Sequence, residues 1–417
     1  MISKILTTRT NALTRDPGPP PDGGLKAWTQ ACMGHLVVFN TWGVITSFGV
    51  FQAYYTSELG LAPSAVSWIG SVQTLGHFFV GAVSGRALDA GYFYHVFIAG
   101  LLIEAFGVFM TSLCTQYWQL FLAQGVVTGV GCGMQFCPAV SLVTTYFQKN
   151  RILAVAIVVS GSATGGMIYP TIVRQLLPKI GFAWVLRVMG LIMVAIGCLT
   201  TALLRPRLPP TKSGPLIDFS AFRESTYSLY CVAVFLAIWG QFYVFYYVGP
   251  YAIDVIGASY STSVNMLLLM NGLGLFGRVI PAYFADRNFG PLNTIIPFPF
   301  IGAILIYCWA AVRTQAALYA FASLYGLLIA GFQGLFPGAL SSLTKDMSKA
   351  GARMGMCFSF VGVASLTGPP LAGALIQAHG GNYLYAQMWS ASALVAGGLV
   401  LIAARISSTG WVLVSRI

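Results

Sequence analysis

"GRALDAG", residues 85–91, returns in altered form as "AYFADRNFG", residues 282–290, and this pairing decides the fold. In each, a small residue (Gly85 or Ala282) precedes an aspartate (Asp89 or Asp286) by four positions, and the aspartates stand 197 residues apart. A second pair follows in the same order. "GVGCGMQFCP" ends at Pro138 and "GFQGLFP" ends at Pro337, an offset of 199. Glycine-rich stretches come next in both places, "SGSATGG" at 160–166 and "FVGVASLTGPP" at 360–370. Offsets kept in order are the mark of an internal repeat. The chain is therefore expected to be two related halves.

Between these motifs the sequence is apolar. Of 417 residues 57% are hydrophobic and 8% charged, and mean hydropathy is +0.77. A water-soluble domain carries roughly a quarter charged residues, so lipid must cover much of this surface. Apolar runs long enough to cross a bilayer as helices fall at 29–54, 64–86, 95–113, 117–145, 152–176, 184–204, 226–252, 262–285, 294–313, 316–341, 353–377 and 383–406. They are continuous rather than alternating, which excludes a β-barrel. The expectation is an all-α membrane protein with twelve transmembrane helices in two six-helix pseudo-repeats. Such halves usually enclose a substrate site near the bilayer midplane.

Charge sets the orientation. With both ends on the cytosolic side, seventeen of the 22 Lys and Arg residues fall on that side, among them Arg86, Lys149, Arg151, Arg205, Arg207 and Arg287. Arg174, Lys179, Arg187 and Arg313 fall outside, and Arg278 lies within a span. That bias predicts cytosolic termini. The divisions expected are an N-terminal arm and start of the first helix (1–28), a six-helix bundle (29–204), a central cytosolic loop (205–225), a second bundle (226–406) and a short tail (407–417). No apolar core of the signal-peptide kind occurs in the first twenty residues, so no cleavable leader is expected. The plasma membrane is the expected location, with an internal membrane as the alternative.

Several functions are excluded. The basic residues are scattered between apolar runs rather than gathered on a nucleic-acid-binding face. The eight cysteines show no CxxC pair and no Cys/His cluster with metal spacing, so no metal is expected and the thiols read as packing residues. No P-loop, HExxH or Ser/His/Asp arrangement occurs, which argues against an enzyme, a cofactor or an ATP-driven pump. The expected partners are the bilayer and a small molecule.

Ionisable groups inside a membrane are functional suspects. Arg278 is the strongest. It shares a helix face with Asn271 and Gly274 and could hold a carboxylate by paired, charge-assisted bonds. The competing reading is an arginine reaching for the cytosol or capping helix ends. Asn40 and Thr41 in span one, Gln241, Tyr243 and Tyr247 in span seven and Gln333 in span ten are candidate cavity residues. The surrounding "WGQFYVFYYVGPYAID" fits a binding wall or a membrane-interface belt equally. Glu104, His35, His77 and Asp254 are candidate proton sites, Glu104 foremost. For each of the first three a satisfied structural group is the alternative, and Asp254 is expected at the outer mouth. Gly125, Gly129 and Gly133, like Gly161 and Gly165, repeat at the spacing that lets helices approach closely. In "PPDGGLKAW", residues 20–28, Asp22 is expected to cap backbone N–H groups where the first helix begins. Gly23 and Gly24 are expected to give a tight turn and close contact with a neighbouring helix.

"PPDGGLKAW", "NTWGVITSFGVFQAYY" (40–55), "SWIGSVQ" (67–73), "YFQKNRILAVAIVVSGSATGGMIYP" (146–170) and "FGRVIPAYFADR" (276–287) together resemble the monocarboxylate porter family of the major facilitator superfamily, especially its fungal members. The resemblance implies secondary or facilitative transport of a small organic anion by alternating access. The alternative is efflux of a secondary metabolite or toxin, made by a fungal biosynthetic gene cluster. It places the family's substrate-anion arginine on Arg278. It also implies that Asp89 with Arg86, and Asp286 with Arg287, cap neighbouring helices and latch the halves, with Lys149 and Arg151 in the loop after span four. Ala90 and Asn150 depart from the basic residues usual there. Two further departures matter. The family's animal lactate carriers have an aspartate where this chain has Gly274 and a lysine where it has Thr46. Both belong to their proton-coupling apparatus, so protons are only a candidate coupling ion, and Thr46 becomes a candidate substrate contact.

Overall fold

The computed structural model describes residues 18–61, 63–209, 218–344 and 350–410. Most of the expected N-terminal arm (with Lys4, Arg9 and Arg15), the middle of the central loop (with Lys212), Lys345 and Lys349 after span ten, and the tail from 411 (with Arg416) lie outside these residues. Among the described residues the chain is helical throughout, with no strand.

Among the described residues, twelve rods run from face to face. α1 runs Gly24–Thr46 and, after a step at Ser47, Phe48–Ser57. α2 is Pro63–Asp89, α3 Phe93–Thr111 and α4 Tyr117–Thr144, whose Phe121–Thr128 stretch winds more widely. α5 comprises Arg151–Val159 and 161–180, and α6 is 182–203. These two meet at Gly181, whose φ of 75° is open to glycine at little cost. The loop expected between spans five and six is thus a one-residue kink. α7 is Ser225–Asp254, and α8 is Tyr260–Phe284 extended by Ala285–Phe289. α9 combines Pro291–Ile295 with Pro297–Trp309. α10 is Gln315–Leu343, α11 Ala350–Ala378 and α12 Leu384–Thr409.

Ten helices among the described residues are apolar and long enough to span a membrane, one of them 53 residues long and holding both α5 and α6. α2 is outside that set because Gln73, Thr74, His77 and other polar residues dilute its hydropathy. Those side chains are buried against protein, which is how a span tolerates them. An even number of rods brings the described ends, Gly18 and Gly410, to one face, called the terminal face below.

The two sets of six pack alike. α2 crosses α4 where Cβ atoms at Gly129 and Gly133 would stand 2.7 and 2.6 Å from the Gln73 and His77 carbonyl oxygens. Its counterpart is α8 on α10, where Gly326 lies against the Met270 backbone. α3 meets α6 at Gly197 and Leu101, as α9 meets α12 at Gly398 and Phe300. α1 lies against α5, with added Cβ atoms at Gly161 and Gly165 only 2.1 and 2.3 Å from the His35 and Phe39 carbonyl oxygens. Without hydrophobic drive between helices in lipid, such close backbone approach supplies the dispersion contacts that hold the bundle.

On the terminal face the two halves touch. Gly355 of α11 packs on the Ala82 backbone of α2, and Gly338 of α10 on Ile152 of α5. Ser141 of α4 lies 3.8 Å from the Met354 sulfur of α11. Arg353, also on α11, pairs with Asp218 at 3.3 Å and with Glu224, tying the central connection to the second half.

Candidate functional site

Between the halves lies a chamber of about 370 Å³. Its position follows from which part of each helix lines it. α1 contributes residues 42–56 and α7 residues 238–254, each from mid-helix to the end away from the chain termini. α8, which runs the other way, contributes 263–278, again its far end to its middle. α2 and α5 reach the chamber near their middles, and α4 and α10 between their middles and their terminal-face ends. The chamber therefore opens to the face opposite the termini and is closed below by the contacts of the terminal face.

Arg278 lies at its inner end, 4% exposed. Its terminal nitrogen donates to the side-chain amide oxygen (Oε1) of Gln333 on α10, and its Nε has no partner. Gly274 leaves it room, since a Cβ there would stand 2.8 Å from Nη1. Asn271, two turns nearer the mouth, also lines the chamber and donates to the Leu267 carbonyl oxygen at 3.0 Å. Thr46 lines it too, its hydroxyl donating to the Trp42 carbonyl oxygen at 2.9 Å. Four expected residues thus meet at one chamber: Arg278, Asn271, Thr46 and Gln333.

Three do not. Asn40 is buried between α1, α5 and α6, donating to the Met193 carbonyl oxygen at 3.1 Å and accepting from the Tyr169 hydroxyl at 2.9 Å. Tyr243 stacks on Tyr247 and packs on Trp309 inside the second half. Gln241 is fully buried there. Each faces its own bundle rather than the chamber, because span seven is aromatic all round and its polar residues fall on both sides. Tyr247, a further candidate, donates to the Pro369 carbonyl oxygen at 3.0 Å and is not on the wall. Phe242, Phe245 and Tyr246 of α7 hold the wall instead. With Ile238, Gly249 and Ile253 they recur at helical spacing along one face, a signal the sequence did carry.

Among the proton candidates, Glu104 is fully buried between α3 and α4, away from the chamber. It accepts from the Gln135 amide at 2.5 Å and from the Cys132 thiol at 3.3 Å. His35 is bonded to the Ile157 carbonyl oxygen and Thr164 hydroxyl, at 2.9 and 3.0 Å. His77 has no hydrogen-bond partner and packs on Phe136 and Trp42. Asp254 stands at the mouth, accepting from the Tyr383 hydroxyl at 2.7 Å.

Two carboxylates of the terminal face, Asp22 and Asp286, converge on one turn, 146–153. Asp22 accepts from the Gln148 and Lys149 backbone amides at 2.6 and 2.7 Å, and its own amide donates to the Tyr146 carbonyl oxygen. It does not cap its own helix. A φ of 57° at Asp22 turns the side chain back towards that loop. Gly24, at φ 72°, makes the tight turn, whereas neither Gly23 nor Gly24 has a neighbour in close contact. Trp28 packs on Phe147 instead. From the other half, Asp286 accepts from the Ile152 and Leu153 amides at 3.2 and 2.8 Å, at the N-terminus of α5. Arg151 donates to the Phe147 carbonyl oxygen, Lys149 is exposed, and Arg287 lies over the Tyr283 ring. Arg86 and Asp89 occupy the last turn of α2. No group of His, Cys, Asp and Glu among the described residues could hold a metal.

Residues 32–350 match the family described as Major Facilitator Superfamily. The chain is 42% identical to an MFS-type transporter of Gibberella zeae over 95% of its own length and 90% of the relative's. It is 36% identical to the aspyridones efflux protein apdF of Emericella nidulans, over 94% and 80%. In fold it is similar to the human organic anion transporter MFSD10, with a TM-score of 0.73, 13% identity and coverage of 90% and 99%. Two six-helix sets around one chamber, and relatives spanning nearly the whole length, lead to one conclusion: the chain belongs to the major facilitator superfamily and is an integral membrane transporter, not an enzyme.

Proposed function

We propose that this transporter exports an amphipathic organic acid, its acidic group held by Arg278 and its apolar body by the aromatic wall of α1 and α7. The observation that carries this reading is a buried guanidinium at the inner end of a largely apolar chamber. A chamber of ~370 Å³ suits a metabolite-sized ligand, while an acid the size of lactate would leave most of it unfilled. The efflux protein among the relatives supports the direction. Within the monocarboxylate branch, Gly274 and Thr46 replace the charged pair of the lactate carriers, so proton–lactate symport is not part of this reading.

With the termini cytosolic, the chamber faces outward. Asp286 on the N-terminus of α5 acts as the latch of that state, joining a carboxylate of one half to helix amides of the other. The plasma membrane is the expected site of export.

Flux from proteoliposomes loaded with labelled 2-naphthoate, against its neutral amide, tests the reading. A charge-assisted bond contributes about 2 kcal/mol, or about 30-fold. Arg278→Ala should lower acid flux by about that factor and leave the amide nearly unchanged. Equal loss for both, or none, contradicts the assignment.

A further inference from the structure

The chamber wall carries two charged residues, Arg278 and Asp254. They are far apart. Ser263 on α8 sits level with Gly249 of α7, 3.7 Å from a Cβ built there, so Asp254 lies still nearer the mouth. Arg278 is 15 residues inward from Ser263 on α8, about 22 Å of helix. Across that distance, with the open chamber between them, the two charges barely attract. Among the described residues Arg278 forms no ion pair; its one side-chain partner there is the neutral oxygen of Gln333, and its Nε is unsatisfied. Position 274, one turn away, is a glycine.

That arrangement bears on the return half of the cycle. Even with the chamber open the guanidinium is only 4% exposed and its Nε has no partner, so water does little to solvate it. For the halves to rock, the chamber must close over Arg278, and a charge stripped of water without a partner is strongly disfavoured. An anion on Arg278 removes the obstacle by charge-assisted bonds. The outgoing acid supplies one on the way out. Among the described residues the one carboxylate on the chamber wall, Asp254, lies too far from Arg278 to supply one in this state.

We propose that Arg278 takes up a small inorganic anion when the organic acid has left, and that the protein is an anion exchanger: acid one way, a chloride-sized anion the other. This rests on the reading of Arg278 as the acid-binding group and adds what occupies it on the return.

The test uses the purified transporter in liposomes with labelled chloride inside and potassium and valinomycin clamping the voltage. Release into chloride is compared with release into sucrose and zwitterionic buffer. The expected result is exchange at least about tenfold faster than net loss, with both abolished in Arg278→Gln. Gln333→Glu, of the same size, places a carboxylate on the guanidinium and should bring exchange down towards the net rate. Net loss as fast as exchange, or exchange that survives Arg278→Gln, overturns the proposal. So does chloride that never moves while labelled 2-naphthoate still does, a result that leaves the organic-acid site standing. If neither moves, both readings fall.

Discussion

Arg278, Gln333 and Asn271 come from two helices and meet because α8 and α10 approach closely at small residues, Gly326 and Gly334 among them. The planar fork of arginine is what the site uses. Arg278→Lys keeps the charge but loses paired bonding, so KM for the acid should rise roughly tenfold with a smaller change in maximal flux, measured in the same liposomes. Asn40 offers the opposite case. Its bonds to Tyr169 and the Met193 carbonyl oxygen are structural, so Asn40→Ala should cost about 1–3 kcal/mol. A lowered melting temperature with unchanged acid affinity is the expected pair of readings. The sequence made Arg278 legible because a charge in an apolar span is rare. It could not separate Asn40 and Tyr243 from Thr46 and Gln333, since all are polar residues in spans. Which face a span turns to the chamber is decided by neighbours distant in sequence.

Among the elements, the turn 146–153 is held from two sides, by Asp22 from its own half and by Asp286 from the other. Their loss should differ. Asp286→Asn weakens a contact between halves and should populate states open on the terminal face, read as faster modification of a cysteine placed there. Asp22→Asn weakens a contact within one half and should lower stability without that shift. Glycine spacing proved a good guide to contacts: Gly129, Gly133, Gly161 and Gly165 all face a neighbouring backbone. Gly165→Val would drive a side chain into the Phe39 carbonyl oxygen, and its expected outcome is loss of folded protein by size-exclusion chromatography. The spans themselves were legible to within a few residues, because twenty apolar residues have few alternatives in lipid. The partner of Asp22 was not. Its own helix was the nearest set of free amides, and only the turn of the backbone at φ 57° aims the carboxylate elsewhere.

At the scale of the whole molecule, two halves meet on the terminal face and part around the chamber on the other, where Arg174 of α5 still donates to the Asn265 side-chain oxygen of α8 at 2.9 Å. Contacts between Ser141 and Met354 mark the closed side. A disulfide across those positions, in Ser141→Cys with Met354→Cys, should stop transport while preserving acid binding, and reduction should restore flux. The repeat offsets of 197 and 199 residues foretold the two sets. Which way the chamber opens was not in the sequence, since either state of a rocking pair is compatible with the same helices. The most direct test of the central claim is the accessibility of Asn271→Cys in a background freed of reactive native cysteines. An impermeant thiol reagent applied to the face away from the termini should modify it, and 2-naphthoate should slow the reaction. A cysteine at 271 that no aqueous reagent reaches from either face, yet a lipid-soluble reagent modifies, would contradict a chamber between the halves.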